Sequence, residues 1–284
     1  MPRVSEVFSP PLTKVPSTPL GCDLAVKQVA YAKSGFLLPA LYFVLFCLYL
    51  AVRPFRLDVF PIKIVFTVYT DSFYGEGMEW IYDEGSGVVV IRGSGPMPDY
   101  GRFLKDRSPW RDVFVRFVRI EEGITSIGNN AFYGCRSLES IEIPSTVERI
   151  GIGAFHGCIS LESVDIPESV CSVERFAFYK CKLLEDIVLP EGLEIIENDT
   201  FALCRNLISV NIPDTVREIG NHAFYECMSL EDVTVPERTE YVGAAAFENC
   251  KSLKLTFRSW DTKFDKTAFQ GVREVVHNSL ERPA

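Results

Sequence analysis

The sequence has few of the side chains on which enzymes and metal sites depend. It contains only three histidines in 284 residues, at positions 156, 222 and 277, and they occupy unrelated places in the chain. No nucleophile has a base nearby in sequence, no CxxC or HExxH motif is present, and no glycine-rich phosphate loop follows a strand. We therefore expect no enzymatic activity, metal or cofactor, since an active site would need a contribution from another chain.

Positive charge is scarce beyond the first quarter of the chain. Residues 1–75 contain seven Lys and Arg and four Asp and Glu, which leaves 22 basic and 34 acidic residues, a net charge of −12, in 76–284. Phosphate backbones are bound mainly by Lys and Arg, so this composition argues against nucleic acid as a partner. Basic partners, or partners bridged by cations, fit the charge.

The sequence has one long apolar run, at residues 35–52. No charged residue occurs between Lys33 and Arg53. The 18 residues of this run can cross the hydrocarbon core of a bilayer as a helix, and we expect a membrane-spanning signal anchor. A cleaved signal peptide is one alternative, weakened by the long leader and the lack of a small-x-small cleavage site. A buried core helix is the other. The basic residues on either side are nearly balanced, so the orientation stays open.

The segments around this run have distinct compositions. Residues 1–34 are rich in Pro, Ser and small residues and predict a flexible tail, and 53–75 predict a juxtamembrane linker. Two β-forming stretches, 78–82 and 88–92, flank a turn-forming Asp-Glu-Gly-Ser-Gly segment and predict a β-hairpin. We expect residues 76–112, with Trp110 packed beneath the hairpin, to cap the array that follows.

The rest of the chain repeats itself. The most visible marker is a phenylalanine that recurs after 23 residues five times and then after 22, at Phe132, Phe155, Phe178, Phe201, Phe224, Phe247 and Phe269. A fixed step in this range predicts a solenoid, in which each coil buries its apolar face only against its neighbours. We assign residues 113–276 to this solenoid and 277–284 to a C-terminal tail.

Each copy predicts one short parallel strand and one corner. Leu138, Ile141 and Ile143 alternate with or flank polar residues, which is typical of a strand with one buried side. Val147 and Ile150 extend the interior. The phenylalanine is expected to fill the opposite corner through a tight helical or irregular turn.

Six of the nine cysteines share the 23-residue step, at Cys135, Cys158, Cys181, Cys204, Cys227 and Cys250. Stacked in consecutive coils, their Cα–Cβ bonds would run parallel, which is poor geometry for a disulfide. We expect reduced thiols buried as small apolar groups, with a metal or disulfide role as the alternative.

The outward positions of the strands form rows along the sheet, and the middle of these rows is acidic. The candidate binding residues are Glu139, Glu142, Glu162, Asp165, Glu185, Asp186, Asn211, Glu231 and Asp232. Arg116 and Arg119 stand at one end, and Lys254 is expected at the other end, in the row of Glu231. Like charges on neighbouring strands repel. The face is either a solvated surface that prevents sideways aggregation or a strip that binds a basic protein or bridging cations.

Two polar motifs have structural alternatives. His156 occupies a column held elsewhere by Tyr133, Tyr179 and Tyr225, so a packing role is expected rather than that of a ligand or base. Asn198-Asp199-Thr200 fits an N-glycosylation acceptor, but the threonine lies in a column otherwise held by alanine.

The repeated Ala-Phe-x-x-Cys, Leu-x-x-Ile-x-Ile-Pro and Val-x-x-Ile-Gly segments resemble the BspA-type leucine-rich repeat from about residue 113 to 276. The stretch from Trp80 to Trp110 resembles the cap that precedes such arrays. The resemblance implies display at the cell surface. Together with the apolar run and the lack of catalytic motifs, it leads us to expect a membrane-anchored, non-enzymatic binding or adhesion protein that recognises a protein or glycan. An intracellular scaffold for protein–protein interaction is the alternative.

Overall fold

A computed structural model describes residues 66–69, 78–103 and 106–277. The predicted tail at 1–34, the membrane helix at 35–52, most of the linker at 53–75 and all but one residue of the tail at 277–284 lie outside the described residues. Within the three described ranges, no helix has the length and apolar content needed to cross a bilayer.

The described chain consists of short strands and one 3-10 helix, Pro109–Asp112. Before the repeats lie Phe66–Tyr69 (β1), Met78–Asp83 (β2), Val88–Gly93 (β3) and Gly95–Pro96 (β4). The first strands of the successive coils are Phe117–Ile120 (β5), Ser140–Glu142 (β7), Ser163–Val164 (β9), Asp186–Val188 (β11), Ser209–Asn211 (β13), Asp232–Val235 (β15), Lys254–Phe257 (β17) and Glu274–His277 (β19). The second strand is Ile124–Ile127 (β6), Arg149–Ile150 (β8), Ser172–Val173 (β10), Ile195–Ile196 (β12), Glu218–Ile219 (β14), Tyr241–Val242 (β16) or Lys263–Phe264 (β18).

These strands form a β-solenoid, as the repeat predicts. One sheet has the order β1-β2-β3-β5-β7-β9-β11-β13, and β15, β17 and β19 form another. The repeat strands pair in parallel, and Ile187 lies opposite Val210, 23 residues later. The second strands form two further parallel sheets, β4-β6-β8-β10 and β12-β14-β16-β18. The sequence does not predict this second strand, because all of its copies after β6 are only two residues long and too short to show a period.

The predicted hairpin is present at the N-terminal side of the array. β2 and β3 pair antiparallel from Met78 opposite Gly93 to Asp83 opposite Val88, and β3 pairs in parallel with β5. Trp110 is buried, stacks on Phe132 at 5.5 Å, and donates its indole N–H to the carbonyl oxygen of Ala131 at 2.8 Å. A capping role for the hairpin remains a prediction.

The phenylalanines form one continuous stack inside the coils. The six rings from Phe132 to Phe247 are fully buried, with centroids 5.1–5.5 Å apart and planes within 6–12° of parallel. Phe269 departs from the stack: it is only partly buried, lies 6.4 Å from Phe247 and is tilted by 31°. It belongs to the shortened last coil, which no further described coil covers.

The six cysteines that share the 23-residue step lie beside this stack and are free, buried thiols. From Cys158 onward, each thiol donates to the carbonyl oxygen of the phenylalanine in the preceding coil. The distances from Sγ to oxygen are 3.1 Å for Cys158, 3.2 Å for Cys181, 3.1 Å for Cys204, 3.2 Å for Cys227 and 3.0 Å for Cys250. Burial raises the pKa of Cys204 and Cys250 to about 12, so these groups are protonated at neutral pH.

The corner that carries each phenylalanine contains no helix. In the first full coil, Asn130 (φ 54°) and Gly134 (φ 70°) adopt left-handed backbone conformations on either side of Phe132. The N–H groups of these three residues donate to carbonyl oxygens of residues 152, 154 and 156 in the next coil, at 2.8, 2.7 and 2.8 Å. The corner is therefore another hydrogen-bonded ladder between coils.

Candidate recognition face

The nine candidate residues all point outward from the strand side of the coils; we call this surface the candidate face. Eight of them are exposed, and Glu139 is half-buried. The alternate positions in the same strands point inward and are buried, at Ile141, Val164, Ile187, Val210 and Val233. The pleat of each strand therefore separates the core from this surface.

Two of the eight carboxylates among the candidates are paired with arginines of the preceding coil. Arg116 donates two hydrogen bonds of 2.8 Å to Glu139, and Arg119 donates bonds of 2.5 and 3.1 Å to Glu142. These hydrogen bonds lower the pKa of both glutamates below the ordinary value. The first coil thus neutralises the start of the face. A separation of 23 residues between opposite charges is the sequence signal that would have predicted both pairs.

The centre of the face keeps its negative charge. Glu162, Asp165, Glu185, Glu231 and Asp232 form no ion pair with any residue that the structure describes. In the same region, the hydroxyl of Ser209 donates to Asp186 at 2.5 Å.

Asn211 differs from the other candidates because its amide serves the backbone of the preceding coil. The Oδ1 atom accepts from the N–H of Leu189 at 2.7 Å, and the Nδ2 atom donates to the Leu189 carbonyl at 3.1 Å. Its side chain therefore has a structural task that the sequence did not reveal.

The basic end of the face is displaced from its predicted position. Lys254 was expected in the row of Glu231, but it lies opposite Asp232 in the strand register. The last coils lack one residue at this point, so Glu231 has no counterpart in β17. The prediction for Lys254 was wrong because it kept the 23-residue step across this deletion.

Apolar side chains interrupt the acidic rows in the middle of the face. Val188 lies opposite Asn211 in the register and is 66% exposed, and Ile208, immediately before β13, is 40% exposed. Leu183, at the start of the same coil as Val188, is also exposed. Single exposed apolar residues are ordinary, but these come from adjacent coils.

A further acidic row follows the proline that ends each strand, and the sequence interpretation missed it. Its members share the 23-residue step and are exposed: Glu168, Glu191, Asp214 and Glu237. Asp214 pairs with Arg258 at 2.8 Å. The row borders the candidate face and adds to its negative potential.

His156 packs in an aromatic column away from the candidate face. Its ring stacks between those of Tyr133 and Tyr179, at 4.6 and 4.7 Å. Burial, with smaller contributions from Arg102 and Lys180, lowers its pKa to about 4. The imidazole is therefore neutral at physiological pH. No group of His, Cys, Asp and Glu in residues 78–103 or 106–277 is arranged to hold a metal ion.

The glycosylation motif is engaged in the fold. The hydroxyl of Thr200 is buried and donates to the carbonyl of Glu197 at 2.7 Å. The Oδ1 atom of Asn198 accepts from the N–H of Asn221 at 2.6 Å. The side chains at both ends of the motif therefore form hydrogen bonds within the fold.

Comparison with known proteins places the chain in a family. The family model described as "BspA type Leucine rich repeat region" matches in six copies, over residues 125–254 and 194–282, which together exceed half of the chain. No curated protein matches this chain. Among solved structures, the leucine-rich repeat protein TpLRR of T. pallidum is 26% identical, with 73% of this chain and 90% of that chain covered and a TM-score of 0.54.

Two other solved structures are more distant. A leucine-rich cell surface protein of Faecalibacterium prausnitzii is 22% identical, over 75% of this chain and 76% of that chain, with a TM-score of 0.44. A leucine-rich repeat protein of Eubacterium ventriosum is 20% identical, over 69% and 73%, with a TM-score of 0.46. With its 23-residue coils and the match of the family model, the chain belongs to the BspA-type leucine-rich repeat family.

Proposed function

We propose that this protein is a non-enzymatic recognition protein, held at the cell surface by a membrane helix at residues 35–52, which binds a partner through the candidate face. Protein and glycan ligands both suit a leucine-rich repeat array. The combination of exposed carboxylates and apolar side chains favours a protein with a basic surface.

One observation carries this proposal: carboxylates that form no ion pair with a described residue lie in the coils on both sides of exposed apolar side chains. Glu162 and Glu185 lie on one side of Ile208 in the row, and Glu231 lies on the other. A surface selected only for solubility has no need of Val188 and Ile208 at these positions. An apolar centre with a charged surround is typical of protein interfaces.

The face is tested with charge-reversed variants of the full chain, purified in detergent and used to capture proteins from cell extracts. In Glu162→Lys/Glu185→Lys, two carboxylates of the face are reversed. The matched control, Glu194→Lys/Glu218→Lys, changes the net charge equally at exposed residues elsewhere in the array. We expect partners that the wild type and the control retain and the face variant loses. Equal capture by all three proteins would contradict the proposal.

The placement at the cell surface is tested by treating intact cells with protease. If the solenoid is displayed outside, its fragments are released before lysis. If it is cut only after lysis, the intracellular scaffold is the better description.

A further inference from the structure

We infer that the partner presents an α-helix with a basic face, lying along the array and across consecutive coils. The inference rests on the proposed function of the candidate face and specifies the element that it binds. It follows from the spacing of the coils, the order of the side chains in one row, and their charge.

The spacing of the coils matches a helix better than a strand. Successive phenylalanine rings are 5.1–5.5 Å apart, and hydrogen-bonded strands lie about 4.8 Å apart. One turn of an α-helix rises about 5.4 Å. Residues on one side of an extended strand repeat at about 6.8 Å.

The mismatch between the spacing of the coils and that of an extended peptide increases along the row. The coils of Glu162 and Glu231 are three steps apart, a distance of about 14–16 Å. Three turns of helix span about 16 Å, whereas three same-side steps of a strand span about 20 Å. A helix therefore keeps one side chain opposite each coil, while an extended peptide loses register by most of a coil.

The order of side chains in the row specifies the helix. Glu162, Glu185, Ile208 and Glu231 occur in consecutive coils, so the row reads acidic, acidic, apolar, acidic. A complementary helix carries Lys or Arg at a first position, again about four residues later and at about the eleventh or twelfth. An apolar residue near the eighth position would meet Ile208, and Val188 is exposed in the preceding coil, opposite Asn211.

Three synthetic peptides of identical composition test the inference against the full chain in detergent, with binding followed by fluorescence anisotropy. In the first, the basic residues and the apolar residue have the helical spacing given above. In the second, the sequence still favours a helix, but the basic residues are distributed over all sides of it. In the third, the basic residues occupy every second position, so that they share one side of an extended strand.

We expect the first peptide to bind at least about tenfold more tightly than the others and to gain helical circular dichroism on binding. Glu162→Lys/Glu185→Lys should weaken it by about tenfold or more, and Glu194→Lys/Glu218→Lys should not. Ile208→Ser should also weaken it, whereas Ile195→Ser should not, because Ile195 has a similar exposure of 43% on another sheet.

Three results would overturn the inference: stronger binding of the alternating peptide, equal binding of both helical peptides, or no binding of any. Capture of proteins from cell extracts shows whether the proposed function is wrong as well as the inferred helix. If their capture still depends on Glu162 and Glu185, the face binds a partner of another shape. If it does not, the proposed function is wrong as well.

Discussion

The thiol of Cys181 donates to the carbonyl oxygen of Phe155, one coil earlier, across 3.2 Å in the core. The same contact recurs from Cys158 to Cys250, so the two most regular columns of the sequence are joined to each other between coils. Each thiol is therefore held by hydrogen bonding as well as by packing. An apolar residue of similar size could fill the same space but could not donate this hydrogen bond.

The column thiols should resist alkylation in the folded protein. Burial raises the pKa of Cys181 well above its ordinary value, and only the thiolate reacts readily. With iodoacetamide at pH 8, peptide mapping should show that, among the seven cysteines that the structure describes, the exposed Cys171 is modified first. The six column cysteines should react only after denaturant is added. Labelling of the column at the rate of Cys171 would contradict their burial.

Truncation of the stack should be costly. In Phe178→Ala, the loss of a fully buried ring should lower the free energy of unfolding by about 3–5 kcal/mol. Phe114→Ala provides the matched control, because Phe114 is 60% exposed and its truncation should change stability by about 0.5 kcal/mol or less. Urea unfolding followed by circular dichroism measures both. Equal effects of the two substitutions would show that the stack is not a core.

Two glycines should respond to alanine for different reasons. Gly157 has φ +74°, and the nearest atom to a Cβ there would be 4.0 Å away, so Gly157→Ala has only the conformational cost of about 1–2 kcal/mol. At Gly220 a Cβ would lie 2.7 Å from the backbone nitrogen of Asn198, and the backbone must shift. Thermal unfolding should therefore rank Gly220→Ala as the more destabilised variant. The reverse order would contradict the close approach of neighbouring coils.

His156 should make the fold sensitive to mild acid. Its pKa is about 4 in the folded chain, below the ordinary value of 6.5, so the unfolded chain binds the proton more readily between these pH values. Stability should therefore fall as pH decreases from about 6.5 to about 4. His156→Tyr, which restores the residue found in neighbouring coils, should lose less stability over this range. Identical pH profiles for the two proteins would exclude His156 as the cause.

The sequence predicts the fold well where each coil repeats the last. The 23-residue step yields the columns of Phe132 and Cys135 and the register that places Val188 opposite Asn211. It fails where the period changes, as at Lys254. It also gives no sign of the left-handed corners, because most are occupied by residues other than glycine: Asn130, Phe176, Lys180, Asp199, Leu203, His222, Glu226, Ala245 and Asn249. There, hydrogen bonds between coils override the local preference.

The candidate face is only partly predictable for a similar reason. Exposure of Glu162 and Glu185 follows from the alternation of each strand. The pairing of Arg116 with Glu139 is visible only when residues one 23-residue step apart are compared, because no pattern within a single coil shows it. The acidic row after the prolines obeys the same step but lies outside the strands, where alternation gives no guidance.

The central claim is that the middle of the acidic face binds a basic partner. It is tested most directly by the dissociation constant of the full chain for a partner captured from cells, at low and high salt. The account predicts that Glu162→Lys/Glu185→Lys weakens binding by about tenfold or more at low salt and that added salt weakens the wild type. Glu194→Lys/Glu218→Lys should bind as the wild type does. Unchanged affinity in the face variant, or affinity insensitive to salt, would contradict the account.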